Sequence, residues 1–172
     1  VLENIYDMVI GDRPEDEKRF DYRELQKDSM VLLVPASYDL TPKMLKREEF
    51  PFPWVDLRTL GDVDFVFQDE STRIYTEIKA LLKKAETRIQ PKLMVTNSIL
   101  AIQSAERQQG CCIISSLFLP YIASVDRVHC YSVGEPEGFT SLGCISQRGK
   151  VFTAQEKYSL HVIRDTLREL QE

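Results

Sequence analysis

Two histidines in 172 residues leave little room for imidazole chemistry. His129 and His161 stand near no nucleophile-elbow pattern, and a Ser-His-Asp centre needs a base held on its serine. The four cysteines, Cys111, Cys112, Cys130 and Cys144, form no CxxC pair and are not spaced with the histidines as metal ligands. There is no P-loop and no G-x-G-x-x-G. Positive charge is also scarce. Lysine and arginine number 22 against 27 acidic residues, for a net charge of −5, which disfavours a basic face for a nucleic-acid backbone. Continuous apolar runs reach only strand length, so no membrane-spanning helix is expected, and no signal-peptide pattern opens the chain. Leu2–Ile5 reads as the last turn of a helix begun upstream. The reading that follows is a cytoplasmic protein with reduced, buried thiols, no enzyme, and no cofactor or metal. A redox sensor at Cys111-Cys112 is the minor alternative.

What is present is a globular composition, 43% hydrophobic and 28% charged, with alternating strand and helix signals. Strands are predicted at Asp7–Ile10, Phe20–Lys27, Met30–Val34, Val63–Phe67, Pro91–Val95, Cys111–Ile114, Arg127–Val133 and Thr140–Arg148. Helices are predicted at Ser71–Lys84 and Asn97–Gln109, with short ones at Lys43–Glu48 and Leu117–Ala123. Gly134–Gly138 reads as a turn or linker. Thr153-Ala154-Gln155-Glu156 has the form of a capping box, opening a last helix with Leu160, Ile163, Leu167 and Leu170 as its stripe and His161 at its surface. The alternation implies an α/β fold with mixed, mostly parallel sheets. The block 61–138 looks self-contained. Segments 1–60 and 139–172 look like parts of a second lobe, so a cleft between two lobes is expected.

The exits of three strands stand out. Phe65-Val66-Phe67 leads into Gln68-Asp69-Glu70-Ser71-Thr72, Leu93-Met94-Val95 into Thr96-Asn97-Ser98, and Cys112-Ile113-Ile114 into Ser115-Ser116. In a parallel sheet such exits share one edge, where folds of this class bind small ligands. A helix N-terminus there presents free N–H groups and partial positive charge. Ser, Thr and Asn are also the preferred N-caps, so capping is the plain alternative for Thr72, Thr96, Asn97 and Ser98. Ser71 and Ser115 carry the same ambiguity, and Gln68 is a cleft candidate. Arg73 either meets an anion or points to solvent. Gly11 and Arg13, after the first strand, are candidates for an opposite wall.

The order of features resembles the effector-binding domain of LysR-type transcriptional regulators over nearly the whole chain. Asp7-Met8-Val9-Ile10-Gly11 is similar to the family's "D-[IL]-[AG]-I" strand, and Ser29–Pro35 to its "e-x-l-v-l-v" strand. Thr59–Val66 resembles the "d-L-x-d-x-p-f-I" crossover, and Thr96–Ser98 through Gly110–Ile113 the helix and "G-x-G-I" strand. Phe152–Leu167 is similar to the closing helix. Departures are Cys112 for the second glycine, Ser115-Ser116-Leu117 for "l-l-P", and Tyr38-Asp39-Leu40 where "H-P-L" is common.

The resemblance implies a two-lobed, type 2 periplasmic-binding-protein-like fold, with lobe I from 1–60 plus 139–172, incomplete at its start, and lobe II from 61–138. It implies a small polar or anionic effector held by Gln68, Ser71, Thr72, Thr96, Asn97, Ser98, Ser115, Gly11 and Arg13. It also implies a homo-oligomer whose DNA contacts are made by a helix-turn-helix that this chain does not contain. A transporter's solute-binding protein shares the fold and is the alternative.

Overall fold

The computed structural model describes residues 6–14, 16–135 and 140–170. The strands are β1 (Val9–Asp12), β2 (Phe20–Asp28), β3 (Met30–Pro35), β4 (Met44–Leu45), β5 (Trp54–Val55), β6 (Phe65–Gln68), β7 (Pro91–Val95), β8 (Cys112–Ser115), β9 (Val128–Ser132) and β10 (Thr140–Gln147). The α-helices are α1 (Arg73–Lys84), α2 (Ser98–Glu106) and α3 (Ala154–Glu169).

Two compact units form, Val1–Asp28 with Phe139–Glu172, and Ser29–Gly138. The first boundary therefore falls at Asp28/Ser29 rather than at 60/61. The cause is β3, whose ladders run to β8 and β9 and tie residues 29–60 to the middle block.

The larger unit is a sheet covered on both faces. Its strands run in the order β4-β5-β9-β3-β8, and a parallel bridge between Phe65 and Cys111 joins the β6-β7 pair to the β8 side. Backbone bonds from Val66 N to Cys111 O (2.7 Å) and from Cys111 N to Asp64 O (2.8 Å) carry that junction. Strand alternation sends side chains to opposite faces. Leu32, Val34, Phe65, Phe67 and Ile113 pack with Ile78 and Leu82 of α1 on one face. Val31, Leu33, Val66, Cys112 and Ile114 pack with Ala101, Ile102 and Ala105 of α2 on the other. Such double coverage explains why these strands read as unbroken apolar runs.

The smaller unit is an antiparallel sheet, β1-β10-β2. Leu160, Ile163 and Leu167 of α3 pack with Leu25, Cys144 and Ile10. The capping box forms as expected. Thr153 Oγ1 accepts from Glu156 N (3.3 Å), and Thr153 N donates to Glu156 Oε2 (2.7 Å). Leu170 lies past the helix and is exposed, so it drops out of the predicted stripe.

The sheets are mixed, but most of their ladders are not parallel. Only β5–β9 and β6–β7 pair in parallel among the described ladders, while β1–β10, β10–β2, β3–β8, β3–β9 and β4–β5 are antiparallel. In the larger unit β3 runs against β8 and β9, which converts two interfaces at once. The predicted helix at Lys43–Glu48 is absent: a 3-10 turn at Thr41–Lys43 gives way to β4, because residues 44–45 pair with β5. The first strand is shifted to Val9–Asp12 and is only partly buried, since Gly11 continues the ladder to Gly143 instead of breaking it. Leu117–Ala123 is replaced by a 3-10 helix, Ser116–Tyr121, with Pro120 inside it. The expected helix turn at Leu2–Ile5 lies outside the described residues, as does most of the Gly134–Gly138 linker.

Candidate functional site

Within the larger unit, β6, β7 and β8 run in the same direction and finish along one edge. At about 4.8 Å per strand, the three exits span roughly 10 Å. The register places Gln68 beside Val95, and Asp69 N extends the ladder to Val95 O (2.8 Å).

The β6 exit is ordered by its own polar groups. Asp69 Oδ1 accepts from Ser71 N (2.9 Å) and Ser71 Oγ (2.7 Å), and this bonding lowers the Asp69 pKa. Thr72 caps α1 by accepting from Tyr75 N (3.3 Å), while its hydroxyl donates to Asp69 O (2.6 Å). Tyr75 Oη donates to Glu70 (3.1 Å), which raises the tyrosine pKa. Arg73 pairs with Glu77, one helical turn on, so its charge already has a partner.

At the β7 exit Asn97 caps α2, accepting from Leu100 N (3.0 Å). Thr96 and Asn97 are exposed and Ser98 is buried. The amides of Ser98 and Ile99 remain outside the intrahelical ladder, as the first N–H groups of any helix do. At the β8 exit Ser115 is buried and accepts from Leu117 N (3.2 Å). Ser116 and Ser29 exchange bonds across the start of β3, at 2.8 and 3.2 Å.

Gln68 is unlike its neighbours. Its side chain is fully buried, on the face it shares with Val66, which packs against α2. Nε2 donates to Ile113 O (3.2 Å), but Oε1 has no partner among the described residues.

The structure thus brings Gln68, Ser71, Thr72, Thr96, Asn97, Ser98 and Ser115 to one edge of one unit. Thr72, Asn97 and Ser115 serve as caps there, the plain role that the sequence allowed. Gly11 and Arg13 lie in the other unit. Gly11 sits within β1, and the Arg13 guanidinium lies 4.9 Å above the Tyr22 ring and 3.3 Å from Glu17. Sequence reasoning passed over Asp69 and Tyr75, which shape the β6 loop. The Asp-x-Ser spacing, a frequent Asx-turn signature, was the available signal.

Among the described residues, no group of three His, Cys, Asp or Glu side chains is placed to hold a metal ion. No helix is long and apolar enough to cross a membrane. Cys111 and Cys112 belong to cores on opposite faces of the sheet, and burial raises both thiol pKa values, that of Cys111 to about 12. Vicinal thiols facing apart in this way do not form the redox pair considered from the sequence.

The family model for the LysR substrate binding domain matches residues 1–167. The chain belongs to that family. Solved structures agree in fold. The effector-binding domain of QuiR in complex with shikimate is 16% identical, with a TM-score of 0.68, covering 99% of this chain and 74% of that one. The regulatory domain of CcmR from Synechocystis PCC6803 in complex with 2-PG is 13% identical, with a TM-score of 0.76, covering 96% and 76%. The BenM effector-binding domain with its effector benzoate is 16% identical, with a TM-score of 0.70, covering 98% and 70%. No curated protein matches the sequence significantly. The chain is therefore a two-lobed, type 2 periplasmic-binding-like α/β domain of the ligand-sensing effector class.

Proposed function

We propose that this domain senses a small polar or anionic metabolite at the edge formed by the β6, β7 and β8 exits, and that it regulates transcription without catalysing a reaction. The observation carrying the reading is the convergence of two α-helix N-termini and three polar exits within about 10 Å along one sheet edge. Thr96 and Asn97 offer an exposed hydroxyl and carboxamide, and the first amides of α2 point positive charge at the same place. Ser71 and Thr72 flank them, Ser115 closes the β8 side, and Ser98 and Gln68 support the edge from within. Gly11 and Arg13 lie in the smaller unit, and the reading does not rest on them. Shikimate and benzoate, bound by two structural neighbours, are both carboxylates, which favours an anionic effector here.

The effector acts by shifting a population between two states, and it shifts it only by its difference in affinity for them. DNA contact belongs to a helix-turn-helix in the full regulator, and the working form is a cytoplasmic homo-oligomer. The transporter reading has no support in either comparison. The test is a thermal-shift screen of small carboxylates and phosphates against the wild-type chain and Asn97→Ala. A hit whose shift disappears in the variant is expected. A hit unaffected by Asn97→Ala, Thr96→Ala and Ser71→Ala contradicts the placement.

A further inference from the structure

A second polar groove, of about 390 Å³, lies at the opposite end of α1. It is formed by the second half of that helix and the segment leading into β7. Lys79 and Lys83 follow the helix start at Arg73 by about one and a half to three turns, which at 1.5 Å rise per residue puts the groove roughly 9–15 Å along the helix from the β6 exit. Three cations line it, Lys79, Lys83 and Arg88, with no carboxylate among the lining residues. Thr87 and Gln90 add neutral polar groups, and buried Leu82 and Ile89 supply the apolar lining.

Nearby, Lys92 pairs with Asp64 at 2.6 Å, Arg58 with Asp56, and Arg73 with Glu77, while Lys84 beside Lys83 faces solvent. Lys79, Lys83 and Arg88 have no ion-pair partner among the described residues, in a chain whose net charge is −5. Lys79 and Lys83 are one helical turn apart, a spacing at which like charges repel. Attraction to the negative helix C-terminus accounts for Lys83, and Lys79 Nζ lies 5.9 Å from the centre of the Tyr75 ring, whereas neither interaction accounts for Arg88. The volume falls within the range of small-molecule sites.

We infer that this groove binds a small polyanion with clustered anionic oxygens, of the polyphosphate or tricarboxylate kind, at a second site independent of the β6–β8 edge. Three cations at once match a ligand of about three charges rather than a single carboxylate. Being exposed, the site loses affinity steeply as salt rises.

The experiment is calorimetric titration of the 172-residue chain with tripolyphosphate and, separately, citrate, at low and at high salt. One-to-one binding is expected for at least one probe, and the two arms distinguish phosphate from carboxylate clusters. Lys83→Gln/Arg88→Gln should weaken that binding at least tenfold, and Lys79→Gln alone several-fold. Lys18→Gln/Lys157→Gln removes the same charge elsewhere and should change it less than twofold. Asn97→Ala should leave it unchanged. Absence of binding by both probes at millimolar concentration, or equal losses in the groove and control variants, overturns the inference. Loss in Asn97→Ala alone overturns it too, by placing the anion at the β7 exit.

Discussion

Replacing Gln68 by leucine should stabilise the protein while weakening its response to effector. The side chain is fully buried and Oε1 lacks a partner among the described residues. A buried acceptor left unpaired costs about 1–3 kcal/mol. Leucine removes that cost along with the Nε2 bond to Ile113 O at 3.2 Å, a loss of about 1 kcal/mol. Leucine is close in size and adds apolar surface to a face already lined by Val66 and α2, so no large cavity opens. The balance is a gain of about 1 kcal/mol, or a rise of about 2–4 °C in Tm for a chain of this length. Urea unfolding followed by circular dichroism, compared at equal m-value, measures it. Destabilisation beyond about 1 kcal/mol would mean that Oε1 is satisfied in the folded state, and the reasoning would fail. A residue retained against stability at a sheet edge points to function there, so the same variant should show a smaller effector-induced Tm shift.

Gly110→Ala should destabilise by about 2–3 kcal/mol, because its φ of +157° is paired with a new Cβ only 2.9 Å from the Asp64 carbonyl oxygen, at the junction of β6 and β8. Chemical denaturation of the variant measures this. Glu156 is held at a pKa of about 2, first by its bond to Lys150 and then by Thr153, against an ordinary value of 4.5. A depressed carboxylate stabilises above its unfolded pKa and loses that contribution as pH falls through its folded one. The stability gap between wild type and Glu156→Gln should therefore be full above pH 4.5 and shrink towards pH 2, as read by urea midpoints across that range. Thr153→Ala should cost about 1 kcal/mol of cap energy in the same assay. Burial raises all four thiol pKa values, so the native protein should react slowly with a disulfide reagent at pH 8 and quickly in denaturant.

The strongly periodic parts of the fold were legible in the sequence. Ser71–Lys84 became α1, two residues shorter at its start, because Thr72 spends its side chain as the cap. The Thr153–Glu156 capping box fixed the start of the last helix to the residue, though not its end, which falls at Glu169. Pairing direction was not legible. Nothing local in Met30–Pro35 says that it runs against β8 and β9, and this single strand both changed the sheet character and moved the unit boundary from 60 to Asp28. The two-residue strands β4 and β5 were hidden as well, since residues 44–45 are strand only through their contact with Trp54 and Val55. The polar exits were visible as composition. Which of their groups are already occupied was not, because the bonds of Asp69 to Ser71 and of Gln68 to Ile113 depend on three-dimensional register.

The central claim is tested most directly by amide hydrogen exchange with and without a small-molecule hit from the thermal-shift screen. Ligand bound at the proposed edge should slow exchange at residues 68–72, 96–100 and 115–117, and Asn97→Ala should abolish that protection. Protection confined to other segments, with these three unchanged at saturating ligand, would contradict the account.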